Sequence, residues 1–327
     1  MMIEEKVLSV GDTIARRTRG ISLDWFRCSL PDNDHIWERL QVWFPNMTKR
    51  DCGWSHGWYP ESWLVLDNGG MIARCVDPDM VRDHLGGRGI LIDLSGRGCA
   101  VLADSLWPFV VWCLGFGKVS RADFAIDDRE GLVTRERVEA ALRDGHIVTR
   151  WRKAKMNAET SVKSGKDTSY TRYFGSRTSG ALLRIYDKAA QQNVSGHWMR
   201  VELEAHDALA DYLCRAWVDE GFQPVLAELN TRIRFVIPGE TDSNRRRWKT
   251  AAWWYSLVGS AKRVVALIAS KVETTIEQSK TWVSKYAIPA ILSVVLAEGG
   301  SVDWLYTMLK ESRGRLRPKH YHAIACA

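Results

Sequence analysis

Three segments of this chain alternate, residue by residue, between an apolar face and a charged one, which is the period of a β-strand and of nothing else. In Val119–Asp127, Arg121, Asp123 and Asp127 fall on one face and Ala122, Phe124 and Ile126 on the other. In Ala181–Lys188, Arg184, Tyr186 and Lys188 oppose Leu183 and Ile185. In Trp198–Ala205, Arg200, Glu202 and Glu204 oppose Met199, Val201 and Leu203. Such strands require an antiparallel sheet that packs one face and leaves the other to polar groups. A solvated sheet face has the same alternation. Three such faces that together hold carboxylates, Arg, Lys and a Tyr point instead to a reaction site.

The rest of the chain supplies a frame for these strands. Ile21–Ser29, Ser62–Leu66 and Gly89–Leu94 read as further strands, bounded by the turn signals Asn68-Gly69-Gly70 and Ser95-Gly96-Arg97-Gly98. Cys99–Phe116 reads as a helix despite Pro108, and Thr134–Asp144 as a short helix capped by Thr134. Arg150–Ser169 is polar and basic and reads as a mobile loop. Tyr170–Phe174 and Ala181–Lys188 form a hairpin around Arg177–Gly180, and Trp198–Ala205 leads into a helix near Asp207–Val218. The expected fold is α+β: a mostly antiparallel sheet with flanking helices over residues 21–238, behind a flexible lead-in of residues 1–20. Gly239–Arg247 marks a boundary. Beyond it, residues 241–327 turn helical, with Val265, Ile268, Val272 and Ile276 at helical spacing, then Trp304, Leu305, Met308 and Leu309 behind Ser301 as N-cap. No internal repeat is visible.

Charge distinguishes the two parts. The net charge is +7, and from Thr241 to Ala327 there are 14 Lys and Arg against 6 Asp and Glu, so the whole excess lies in the tail. A segmental excess suits a polyanion, with Arg245, Arg246, Arg247 and Lys249 the leading contacts. The seven Cys form no CxxC, which argues against a zinc ribbon or a disulfide framework. The first twenty residues lack the apolar core of a signal peptide, and the late apolar stretches Val264–Ser270 and Ile288–Ala297 are short for a bilayer. The expectation is a cytoplasmic protein with no membrane partner.

The residue types on the charged faces suggest phosphoryl transfer. Paired carboxylates suit Mg²⁺ or Mn²⁺. Arg and Lys suit phosphate, and a Tyr becomes a nucleophile where neighbouring cations favour its phenolate. Weaker candidates exist: Tyr173 as a rival nucleophile, His320 and His322 as a metal pair, and Gly86–Gly89 as a phosphate loop that lacks the Lys-Ser/Thr of a P-loop.

SRADFAIDD (Ser120–Asp128), LLRIYDK (Leu182–Lys188) and RVELE (Arg200–Glu204), with LIDLSGRGC (Leu91–Cys99), resemble in order and spacing the replication initiation factors of the Rep_trans type. That family includes rolling-circle initiators of plasmids and filamentous phages and related conjugative relaxases. The resemblance implies a metal-dependent DNA nicking-joining endonuclease. Tyr186 would be the nucleophile, and Asp123 and Glu202 the foremost metal ligands, with Asp127 and Glu204 as alternatives. Arg184, Lys188, Arg121 and Arg200 would stabilise charge at the scissile phosphate. Implied partners are origin DNA and a host helicase and polymerase; a homodimer is left open. A conjugative relaxase of the same chemistry and a non-enzymatic DNA-binding regulator remain alternative readings.

Overall fold

Alternating side chains and turn-rich links produce thirteen strands among the described residues: β1 (Ile21–Leu30), β2 (Thr48–Lys49), β3 (Glu61–Val65), β4 (Gly70–Arg74), β5 (Ile90–Leu94), β6 (Lys118–Asp128), β7 (Ile147–Thr149), β8 (Ala154–Thr160), β9 (Asp167–Ser176), β10 (Ala181–Asp187), β11 (Met199–His206), β12 (Ile233–Ile237) and β13 (Lys249–Thr250). The computed structural model describes residues 20–51, 58–163, 165, 167–239, 242–259, 280 and 283–312. The first nineteen residues, the Val265–Ile276 series, Arg313–Lys319 and the His320/His322 pair lie outside the described residues.

Ten strands form one sheet in the order β2-β3-β4-β5-β1-β6-β11-β10-β9-β8, and β13, β12 and β7 form a second. Every pairing in both is antiparallel. The large sheet is doubled. Strand, helix, three strands, helix, strand runs from β1 to β5, with helices Asp34–Trp43 and Pro78–Asp83. The same order runs from β6 to β11, with helices Arg135–Arg143 and Lys188–Gln192 and β7 as an addition. The halves join where β1 pairs with β6, and their strand orders mirror one another about that pair. The sequence shows no repeat because the shared property is an element order and a pattern of faces, which many side chains can satisfy.

One face of the sheet is dry. Phe26, Cys28 and Leu30 of β1, with Ala122 and Phe124 of β6, pack under helices Asp34–Trp43, Leu106–Phe116 and Asp207–Glu220 through Ile36, Leu40, Phe109, Cys113 and Leu213. Each large side chain so buried contributes roughly 1.5–3 kcal/mol. The stretch Gly96–Phe116 is long and apolar enough to cross a membrane by composition, yet Phe109, Val110, Cys113 and Leu114 are spent on this core. It is also not the single helix expected. Helix Gly96–Leu102 ends at Ala103, and a short 3-10 turn precedes Leu106–Phe116. Pro108 then falls in a first turn, where its missing N–H has no helical acceptor to lose.

Two other expectations change. Much of the stretch expected as a loop is strand: β8 pairs with β9 from Ala154↔Phe174 to Thr160↔Asp167. The stretch lacks large apolar residues because β8 is an exposed edge strand, not because it is unstructured. The boundary also moves. The first compact unit runs to Leu267 and the second from Ile268. Trp254 is fully buried in the first unit beside Phe235, 4.9 Å between ring centroids, so the segment after Gly239 belongs to its core. Within the second unit, helices Ile288–Ala297 and Asp303–Glu311 are described, as the helical tail reading expects.

Candidate active site

The sheet order brings the three patterned strands together, with β11 between β6 and β10. Cross-strand pairs Glu204↔Asp123, Arg200↔Asp127, Arg184↔Glu202 and Tyr186↔Arg200 fuse their charged faces into one surface. In the other half, β4 offers only Met71 and Ala73 on that face, and a small apolar cluster of Tyr59, Ala73, Cys75 and Leu91 covers it. On that face the other half carries one charged pair, Arg27 with Asp93 at 2.6 Å, and, among the described residues, no counterpart of Tyr186 or of the three clustered carboxylates.

Two charged groups stand side by side. The inner one centres on Arg184, whose Nη2 donates to Glu202 Oε1, lies 3.2 Å from Asp123 Oδ2 and lies 3.7 Å from Glu204 Oε2. Arg121 grips Asp123 with two bonds of 2.9 and 2.7 Å, reaches Glu204 at 3.3 Å and stacks 4.2 Å from the centre of the Trp25 ring. The remaining Glu204 oxygen meets His206 Nε2 at 2.8 Å. All three carboxylates are buried, Glu204 completely. Burial pushes the Asp123 carboxyl up to about 6, opposed by Arg121 and reinforced by Glu202 and Glu204. For Arg184, burial disfavours the charge, but the surrounding carboxylates outweigh it and hold the guanidinium above its ordinary value.

The outer group centres on Arg200, which donates to both Asp127 oxygens at 2.7 and 2.8 Å and to Asp24 Oδ1 at 2.8 Å. Trp198 Nε1 adds a 2.7 Å bond to Asp127. Asp24 was missed by sequence reasoning. The β1–β6 register shifts between Leu23 and Trp25, and a bulge there leaves the Asp24 side chain over the charged face, where strict alternation would not put it. Gly96 is required beside it, since a Cβ there would stand 2.8 Å from Asp24 Oδ1. The only advance signal was a lone acid in an apolar strand. Lys188 also differs from expectation. It opens a helix capped by Asp187 instead of continuing the strand face. Its Nζ donates to Gln191 at 2.7 Å and sits 5.7 Å from the centre of the Tyr186 ring, with its pKa lowered by burial and by Arg200.

Tyr186 lies between the two groups, 8% exposed, and its hydroxyl donates to Glu202 Oε2 at 2.8 Å. The expectation that cations favour its phenolate is overturned. Burial raises the phenol pKa well above its ordinary value, and the adjacent Glu202 charge outweighs the opposing pull of Arg200. A tyrosine so placed reacts only if a neighbour takes its proton as it attacks. Tyr173 pairs with Arg184 from β9 and lies on the same face.

Among the described residues, no group of three His, Cys, Asp or Glu is arranged to hold a metal ion. The donor type is right for a hard cation: oxygens of Asp123, Glu202 and Glu204 converge on one point. Arg184 Nη2 occupies that point as their cation. Asp127 is held separately, by Arg200 and Trp198. Arg245, Arg246, Arg247 and Lys249 are exposed and stand apart from β6, β10 and β11, leading into β13. Arg247 pairs with Asp242 at 3.5 Å.

Comparison with known proteins gives three findings. The replication initiation factor family, Rep_trans, matches residues 117–309. "Putative DNA relaxase NicK" of Bacillus subtilis (strain 168) is 28% identical over 255 residues, covering 71% of this chain and 70% of that protein. The rolling circle replication initiator protein from Geobacillus stearothermophilus shares the fold, with a TM-score of 0.63 at 20% identity, over 74% of this chain and 97% of that one.

Proposed function

This chain belongs to the replication initiation factor family, and from that premise we propose that it initiates rolling-circle replication by nicking origin DNA with Tyr186. The observation that carries the reading is the buried Tyr186–Glu202 hydrogen bond set against Arg184.

In the proposed step, Tyr186 Oη attacks the scissile phosphorus while Glu202 Oε2 accepts the phenolic proton. The bond from phosphorus to the 3′ oxygen breaks, and that oxygen takes a proton from water to leave a free 3′-OH. The 5′ phosphate remains esterified to Tyr186. Negative charge grows on the phosphate oxygens during attack, and fixed guanidinium groups stabilise it. Arg184 suits this role because its buried Nε–H has no acceptor within the described protein. Arg121 and Arg200, each pinned by carboxylates, hold Asp123 and Asp127 in place. An Mg²⁺ or Mn²⁺ ion displacing Arg184 Nη2 would be held by Asp123, Glu202 and Glu204 and would supply Lewis-acid polarisation of the phosphate. The basic run at Arg245–Lys249 contacts the origin duplex. Host helicase and polymerase would extend the 3′-OH in the cytoplasm.

A relaxase of a conjugative element would use the same step; the match to "Putative DNA relaxase NicK" supports a relaxase as the second reading. The test is incubation of the full chain with supercoiled DNA of its own genetic element. Open circles carrying protein, with the adduct on the Tyr186 peptide, are the expected result. Binding without any adduct would favour a non-enzymatic regulator.

A further inference from the structure

The charged face does not end at Tyr186. It continues outward across β9 and β8, because Tyr186 pairs with Thr171 and Thr171 with Asn157, while Arg184 pairs with Tyr173 and Tyr173 with Lys155. Cross-strand partners share a face, so Thr171, Tyr173, Asn157 and Lys155 lie on the Tyr186 side. Strand spacing puts β8 about 10 Å from β10. From Arg152 to Thr160 every residue is exposed.

We propose that this β9–β8 face is the track for the single strand flanking the cut, with Tyr173 stacking on a base and Lys155 and Lys153 neutralising its phosphates. The inference rests on the nicking reading above and assigns that site its substrate-strand surface.

Three observations carry it. The first is charge: Arg150, Arg152, Lys153, Lys155 and Lys163 are exposed and make no ion pair among the described residues, and Glu159 is the one acid described between Arg150 and Lys163. Elsewhere on the surface some exposed basic residues are paired, Lys49 with Glu61 and Arg82 with Asp83, and those left unpaired among the described residues, such as Arg39, Arg97 and Lys118, are dispersed along the chain. The second is rigidity. The opposite face of β9 is anchored from behind, where Tyr170 Oη and the Arg172 guanidinium both bond Glu139 of helix Arg135–Arg143. A platform held at the back and open in front binds a strand without ordering cost on its own side. The third is an aromatic: Tyr173 is half-exposed one strand from Arg184, and base stacking on an aromatic ring tolerates any sequence. Lysines on an edge strand also prevent sheet-to-sheet pairing. That role requires no aromatic and no continuity with a nucleophile.

The experiment uses the full chain carrying Tyr186→Phe, so that binding is read without cutting. The probes are a fluorescent single-stranded oligonucleotide spanning the nick region and the matching duplex. Replacing Lys153 and Lys155 together by Gln should lower the salt slope for the single strand by about 1.4, at roughly 0.7 per phosphate contact. Duplex binding should hold within about twofold. Tyr173→Ala should weaken the single strand about 5- to 100-fold, and Tyr173→Phe should restore it. An unchanged slope and affinity in the folded variants would overturn the proposal, as would an equal loss on duplex. Should the Gln variant aggregate through its bared edge, photocrosslinking decides. A 5-iododeoxyuridine oligonucleotide should label the 167–176 peptide of the otherwise unaltered chain, and labelling elsewhere alone would refute the track. Single-strand binding that behaves as described without any Tyr186 adduct from the unmutated chain would leave the track standing and reject the nicking reading.

Discussion

Tyr186 and Glu202 meet diagonally across the β10–β11 pair: the phenol donates a 2.8 Å hydrogen bond to the carboxylate, while Glu202's direct partner is Arg184 and Tyr186's is Arg200. The proposed nucleophile and its proposed proton acceptor are therefore set by strand register, with a guanidinium on the far oxygen of the same carboxylate.

Removal of the hydroxyl alone tests the nucleophile. Tyr186→Phe keeps the ring and the sheet face, so duplex binding should stay within about twofold while nicking and the covalent adduct disappear. An adduct on the Tyr173 peptide of either protein, found by mass mapping, would refute the assignment.

Glu202→Gln keeps the side-chain shape and removes the base. A positioned general base contributes about 10²- to 10⁴-fold, and the nicking rate should fall by that order with little change in DNA affinity. A loss below about threefold in single-turnover cleavage would assign the proton to another group.

The raised pKa of Asp123, about 6, links stability to pH. Its folded-state value lies above its ordinary 3.8, so the folded protein prefers the protonated acid and loses stability as pH rises through this window. Asp123→Asn mimics the neutral form at all pH. Its stability relative to the unmutated chain should therefore improve between pH 4 and 7, by up to about 3 kcal/mol at 1.36 kcal/mol per unit. Its nicking should nonetheless be poor at pH 8. Denaturant melts at the two pH values check the sign, and a difference independent of pH would contradict the burial argument.

In the proposed reaction a divalent cation would compete with Arg184 for the three carboxylates that now surround its guanidinium. Arg184→Gln should bind Mn²⁺ more tightly than the unmutated chain, and Glu202→Gln more weakly, by calorimetric titration. Equal affinities in all three would place any metal elsewhere.

The exposed run Arg245–Arg247 should account for part of duplex binding. Replacement of all three by Gln leaves Trp254 and the core untouched. At about 0.9 per phosphate, the salt slope for duplex should fall by roughly 2 to 3. Deletion from Thr241 onward is a poor alternative, since it strips Trp254 from the first unit's core.

Alternation by itself determined which residues of β6, β10 and β11 share a face, because a strand leaves each side chain only two directions. It thereby singled out Asp123, Arg184, Tyr186, Arg200 and Glu202, and the polar turns between strands implied an antiparallel α+β fold. What it could not supply was lateral order. That β11 lies between β6 and β10 depends on long-range pairing, which no local pattern encodes. The bulge that turns Asp24 onto the charged face is a register slip between two strands about a hundred residues apart, visible only once they pair. The strand at Ala154–Thr160 was hidden for a related reason: an edge strand exposed on both faces carries no apolar signature, and only its partner β9 makes it a strand. The sign of the Tyr186 pKa shift likewise belongs to the tertiary structure. The sequence places Arg and Lys next to this tyrosine, but burial and the nearest carboxylate, both products of packing, decide which charge it feels.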